Sequence, residues 1–268
     1  IDFVLELVDA RVPASSRFDV TRQLLGDKPR ILVFTKTDLA MPDRTQAWAR
    51  HYRQEGLAVV TLNAQTGQGM STLQQVMQVE SDKVSGKMIA RGRLPRASRV
   101  MVVGLPNVGK SSLINKLARK KTVGVGDKPG VTRNVRWIRL GKSVELMDTP
   151  GIIPPRFEDQ ELALKLALVG SVSTESYDPI LVAPAAIEML TAYAPQTLEK
   201  FEEKTIEGIG KARGFLRPGG EVDMERTVRT FLRDMRTGAL GPLTLDLPPG
   251  EFDPLAAEEV ALDEAPDA

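Results

Sequence analysis

Cysteine is absent from this 268-residue chain. Disulfides and thiolate-held metals are therefore excluded. One histidine, His51, is present, so a multi-histidine metal site is excluded too; on its amphipathic stretch it reads as an ordinary surface residue. Aromatic residues make up 5% of the chain, which argues against reading single strands by base stacking. No apolar run reaches the length of a membrane span and no secretory leader is visible. A cytoplasmic chain with no membrane partner is expected, and nothing implies an obligate oligomer. The chain opens on Ile1, inside what reads as a strand, so further residues are expected ahead of it.

Two more absences divide the chain. From Lys83 to Gly126 there are eleven basic residues and no acidic one. From Pro248 onward there is no basic residue. Residues 1–150 carry 25 Lys+Arg against 13 Asp+Glu, and residues 151–268 carry 11 against 22. The net charge of +1 conceals a basic first part and an acidic second part. The basic part suggests a polyanionic partner.

What is present centres on Gly104-Leu-Pro-Asn-Val-Gly-Lys-Ser111, followed by Ser112. It satisfies the phosphate-loop pattern G-x-x-x-x-G-K-[ST]. The apolar run Arg99–Gly104 precedes it and helically spaced apolar residues follow, so the required strand–loop–helix context is there. The backbone from Pro106 through Ser112 would curl around a polyphosphate together with Lys110, with N–H groups offered from Asn107, Val108 and Gly109 onward, since Pro106 has none to give. Ser111 offers a hydroxyl to Mg²⁺. This loop alone allows ATP or GTP.

The other strand ends carry distinctive loops, and ligands of open parallel sheets bind beyond the carboxyl ends of strands. Asp148-Thr-Pro-Gly151 supplies a carboxylate for Mg²⁺ and, at Gly151, an N–H for a γ-phosphate. Thr132 offers the metal a second hydroxyl. Thr35-Lys-Thr-Asp38 places a carboxylate where guanine N1–H and the 2-amino group can donate to it; adenine lacks that donor pair. Lys36 can lie along the base, and Asn63-Ala64 can turn a backbone N–H toward guanine O6. On this reading Lys110, Thr132 and Gly151 serve hydrolysis.

These motifs resemble those of the translation-factor-type GTPases, in an unusual order. The base-reading loops come first, then the phosphate loop, then the switches, as in circularly permuted GTPases. Asp9-Ala-Arg-Val-Pro-Ala-Ser-Ser-Arg17, the phosphate loop, Pro129-Gly-Val-Thr132, Asp148–Ile152 and Gly219-Gly-Glu-Val-Asp223 are together similar to the YlqF/RbgA family of ribosome-assembly GTPases. The resemblance covers nearly everything except the acidic tail. It implies GTP/GDP with Mg²⁺, activation by the ribosomal particle, rRNA and the large-subunit precursor as partners, and a role in large-subunit assembly. It also gives Asn107 a role in holding K⁺ near the phosphates; the alternative is that Asn107 only shapes its loop. The family has Asn where this chain has Thr35. Ile152 stands where many regulatory GTPases place a water-orienting Gln, so intrinsic hydrolysis should be slow, on the order of 10⁻³ s⁻¹ or below.

Strands alternating with helices predict a doubly wound, mostly parallel α/β sheet with one antiparallel hairpin over residues 134–147. The expected division is a permuted GTPase domain over 1–155 with a basic connector at 81–98, a smaller all-helical, RNA- or ribosome-binding domain over 156–247, and a disordered acidic tail over 248–268. Helices are expected at Thr21–Leu25, Asp43–Glu55, Ser71–Val79 (capped by Ser71), Asp159–Val169, Ala185–Tyr193, Leu198–Lys211 and Asp223–Met235. Arg226, Arg229, Arg233 and Arg236 share a helix face, for rRNA or for nearby acids. The basic run reads as an RNA footprint, with a solvated loop as its plain alternative. The competing functions are a P-loop ATPase or kinase, and an RNA-binding module that GTP gates with little catalysis.

Overall fold

The computed structural model describes residues 1–17, 26, 28–119, 136–149 and 159–255. The expected helix Thr21–Leu25, Thr132, Gly151 and Ile152 lie outside the described residues, as does the tail beyond Leu255.

Six strands form one sheet: β1 Phe3–Asp9, β2 Arg30–Thr35, β3 Ala58–Thr61, β4 Ser98–Gly104, β5 Arg136–Leu140 and β6 Val144–Asp148. Their order is β3-β2-β1-β4-β6-β5. All pairings are parallel except β5 with β6, the expected hairpin. A central parallel strand is covered on both faces, so it reads as a continuous apolar run. β1 does so, every one of its seven residues being buried. It carries two charges: Glu6 is met by Arg17 at 3.1 Å, and Asp9 ends the strand.

Three helices cover the sheet: α1 Pro42–Gln54, α2 Met70–Ala90 and α3 Lys110–Arg119. α1 packs Trp48, Ala49 and Tyr52 against Val8, Leu32 and Phe34. On the other face, Leu73 and Met77 of α2 and Leu113, Ile114 and Leu117 of α3 join Leu5, Leu7, Val33 and Val102. The same apolar cluster continues into four later helices, α4 Gln160–Leu168, α5 Pro179–Tyr193, α6 Ile206–Ala212 and α7 Met224–Thr237. Asp159, Asp178, Thr205 and Asp223 cap these helices with side-chain oxygens, as short polar side chains do best at that position.

The structure corrects several expectations. α2 begins one residue before Ser71, with Gly69 at φ 81° as its N-cap; a Cβ at Gly69 would lie 2.1 Å from Thr61 O. The same helix runs on to Ala90, so most of the expected 81–98 connector is helical. Its buried stripe Met70, Leu73, Met77 continues through Ser81, whose hydroxyl lies 2.9 Å from Ser98 Oγ and reaches Ser143 O. A polar residue in the buried stripe hid that continuation. The helix expected over Leu198–Lys211 starts only at Ile206, because Thr205 caps a new helix there. The helix expected over Ala185–Tyr193 begins earlier, at Pro179, since proline fits the first helical turn. The tail expected from Pro248 is docked as far as Leu255: Tyr193 Oη donates to Asp253 Oδ1 at 3.0 Å, and Arg44 pairs with Glu251 at 3.1 Å.

Candidate nucleotide site

The phosphate loop leaves β4 through Gly104, whose φ is 151°. A Cβ there would approach Leu7 O to 2.6 Å, so β1 leaves room only for glycine. Buried Leu105 and Val108 anchor the loop. Asn107 at φ 57° and Gly109 at φ 109° turn the backbone repeatedly; such successive turns gather N–H groups into an anion-binding concavity. α3 begins at Lys110, so a helix N-terminus faces the same space. Lys110 is buried, and its Nζ donates to Gly104 O at 3.0 Å and Leu105 O at 2.6 Å. Two of its three protons are thereby placed, and the third is left for a phosphate. Burial pulls its pKa down to about 8, with only the Asp148 charge acting the other way.

Asp148 ends β6 and pairs in register with Val102, two residues before Gly104. It is buried. A buried carboxylate and the half-buried Ser111 hydroxyl are hard oxygen donors of the kind Mg²⁺ takes alongside substrate phosphates. Among the described residues there is no cluster of three or more His, Asp or Glu that could cage a metal alone.

The base-side loops leave β2 and β3 at the same end of the sheet. Thr35 is buried, and its hydroxyl lies 2.6 Å from Val108 O of the phosphate loop and 3.0 Å from Val8 O. Thr35 therefore braces the phosphate loop despite being shorter than Asn. Lys36, at φ 54°, places its ammonium 2.9 Å from Asp9. Asp38 is exposed at the rim. Asn63 is buried and accepts N–H bonds from Gln65 and Thr66 at 2.8 and 3.0 Å, which folds the turn that holds Ala64. Lys116 of α3 donates to Gln65 O at 2.9 Å and ties that turn to the phosphate-loop helix. The sheet order thus lines up Asn63, Thr35–Asp38, Asp9, Gly104–Ser112 and Asp148 along one edge.

Sequence reasoning left Asp9, Arg11, Ser15, Ser16 and Arg17 without roles; Asp9, Arg11 and Ser16 are buried, and the first two form a hub. Asp9 and Arg11 are essentially inaccessible. Arg11 donates from Nε and Nη2 to the two Asp9 oxygens at 3.0 and 2.8 Å. Burial pushes the Asp9 carboxyl up, but Arg11 and Lys36 outweigh it and hold the group well below the usual carboxylate range. Two of its three other N–H groups donate to Val169 O at 2.9 Å and Arg236 O at 3.2 Å. The next carbonyl, Gly170 O, accepts from Asn107 Nδ2 at 2.9 Å. Two neighbouring carbonyls after α4 are therefore held from the base side and from the phosphate side respectively.

The rest of the Asp9–Arg17 loop is pinned by Asp246. This buried carboxylate accepts Ala14 N, Ser15 N and Ser15 Oγ at 2.8, 2.8 and 2.6 Å. Nothing in its local sequence, Leu243-Thr-Leu-Asp246, marked it; the only signal was an acid amid apolar residues. The arginine row on α7 is mostly engaged within the chain. Arg229 and Arg233 pair with Glu225 and Asp234, Arg226 stacks over Phe215, and Arg236 donates to Ala167 O at 2.8 Å.

Residues 99–206 match the family model described as "50S ribosome-binding GTPase". The chain is 41% identical to the ribosome biogenesis GTPase A of Bacillus cereus over 257 residues, covering 92% of this chain and 87% of that one. Against the protein of the same name from Priestia megaterium it is 40% identical over 268 residues, covering 95% and 92%. The solved GDP-bound structure of TM YlqF superposes with a TM-score of 0.69 at 27% identity, covering 92% of this chain and 95% of that one. With the permuted motifs aligned on one sheet edge, the ATP-or-GTP question left by the phosphate loop resolves to GTP: the chain belongs to the YlqF/RbgA family, the ribosome biogenesis GTPases A.

Proposed function

We infer that this protein is a GTP-hydrolysing switch in ribosome biogenesis whose helical residues beyond Asp159 dock on the large-subunit precursor, contacting rRNA, according to the bound nucleotide. It works in the cytoplasm. The observation carrying the switch is the double hold on Val169 and Gly170: Arg11 reaches the first through the Asp9–Lys36 cluster, and Asn107 reaches the second from the phosphate loop. Binding free energy spent on ordering either loop can then bias the position of the helical residues. The division into a GTPase unit over 1–155 and a helical unit over 156–247 follows the same logic.

In the nucleotide complex, Asp38 selects guanine, Ala64 N–H meets O6, and Lys110 with the loop N–H groups holds the phosphates. Ser111, Thr132 and Asp148 would hold Mg²⁺, which when bound would neutralise phosphate charge. Gly151 N–H senses the γ-phosphate. The Asn107 amide nitrogen is used on Gly170, leaving its carboxamide oxygen for K⁺. Intrinsic turnover of about 10⁻³ s⁻¹ or less is expected, because Ile152 cannot orient a water. It should rise with ribosomal particles and be faster in K⁺ than in Na⁺. Single-turnover phosphate release in the two salts, with and without particles, checks this. No stimulation by particles contradicts the function, and equal rates in both salts remove Asn107 from ion binding.

A further inference from the structure

The acid-free run of cations divides in the folded chain. Lys110 and Lys116 belong to the nucleotide side. The earlier members point elsewhere, because α2 continues to Ala90 with Arg91 as its C-cap. Lys83, Lys87 and Arg91 recur every four residues along this helix and its cap, a row about 12 Å long. The row walls a trough of about 950 Å³. The opposite wall is built by the residues leading into β1, β2 and β3: Ile1-Asp2, Lys28–Arg30 and Leu57-Ala58. These are the amino ends of parallel strands, whereas the nucleotide loops leave the carboxyl ends. Six residues of strand set the two sites roughly 20 Å apart.

Seven Lys and Arg line the trough, against Asp2 and Glu80. Both acids are already engaged: Asp2 accepts from Arg96 at 2.7 and 3.1 Å, and Glu80 pairs with Lys83 at 2.6 Å. Lys87, Arg91 and Arg93 are exposed and form no ion pair among the described residues. Concave, one-signed charge concentrates the potential and draws a polyanion. Among the described residues the lining holds no aromatic side chain on which a base could stack. Cations spaced along a rigid helix suit a regular phosphate backbone.

We propose that this trough binds the phosphate backbone of double-helical RNA, and that it does so whichever nucleotide occupies the far edge of the sheet. The proposal rests on the ribosome-biogenesis reading above and adds a second contact to it: an anchor insensitive to GTP, opposite a docking surface that GTP controls.

The test uses the full chain, a Lys87→Glu/Arg91→Glu variant and a Lys87→Arg/Arg91→Lys variant. Anisotropy of a labelled RNA duplex of about 20 base pairs is followed across salt, with GDP and with a GTP analogue. Charge reversal should weaken binding at least about tenfold in both nucleotide states and flatten the log–log salt slope by about 2, one for each lost phosphate contact. The charge-conserving variant should bind like the parent, and all three should bind the GTP analogue equally. Unchanged duplex binding after reversal overturns the proposal. If reversal spares duplex binding yet reduces pelleting with ribosomal subunits, the trough meets an acidic protein surface and the RNA assignment is overturned. A loss confined to one nucleotide state overturns the independence from GTP. If the parent chain binds no RNA in either state, the rRNA reading itself fails, a result distinct from all of these.

Discussion

Asp9→Asn should lower unfolding free energy by about 3–5 kcal/mol, although the change removes no bulk. Asp9 is wholly buried and Arg11 is 1% exposed. Their mutual charge, with Lys36, is what makes burial of Arg11 tolerable. An asparagine amide leaves the guanidinium as an uncompensated buried cation and can accept at one oxygen only. For a domain of this size the loss corresponds to a fall in Tm of about 6–20 °C. Urea unfolding and thermal melting check it. Replacing the surface pair Arg229–Glu225, which is exposed on both sides, should shift stability by less than about 1 kcal/mol. Equal effects at the two sites would mean that the hub is not structural. The sign with pH follows from the depressed Asp9 carboxyl: its contribution is fully present above the unfolded carboxylate pKa and is lost as pH falls through the folded one.

Lys110→Ala should weaken GTP and GDP binding at least about a hundredfold, since charge-assisted bonds of about 1.5–3 kcal/mol each go with it. The parent protein should show the same dependence through pH. With its pKa near 8, Lys110 is charged in the free protein at neutral pH and loses its proton above that value. A polyphosphate favours the charged form. Affinity should therefore be flat below about pH 7 and fall by up to tenfold per unit above about pH 8. Titration calorimetry between about pH 6.5 and 9 reads both effects. Unchanged affinity in Lys110→Ala would exclude the phosphate loop as the site.

The sheet was legible because parallel strands buried on both faces announce themselves as apolar runs, as Phe3–Asp9 and Arg30–Thr35 do. The phosphate loop was legible because its geometry demands glycine at fixed places; Gly104 faces Leu7 O with no room for a side chain. What stayed hidden were long-range polar contacts. Arg11 to Val169 O spans 158 positions and Asp246 to Ser15 spans 231, and no local pattern encodes such a pairing. Thr35 is a related case: its hold on the phosphate loop depends on the approach of Val108 O to its hydroxyl, across 73 positions. The length of α2 was missed because Ser81 interrupts the apolar stripe while meeting Ser98 and Ser143 in the interior.

Arg11 and Asn107 tie the nucleotide loops to the helical residues at Val169 and Gly170, and on the proposed reading the two respond together to the bound nucleotide. Permutation places the second switch directly before these helices in sequence, and the hub adds a route through the fold that no covalent order requires. Co-sedimentation with large ribosomal subunits in matched GTP-analogue and GDP solutions tests this most directly. Association should be clearly stronger in one nucleotide state, and Asn107→Ala, which cuts the phosphate-side hold while leaving Arg11 in place, should narrow the difference between states. Equal pelleting of the parent protein with GTP analogue and with GDP would contradict the account.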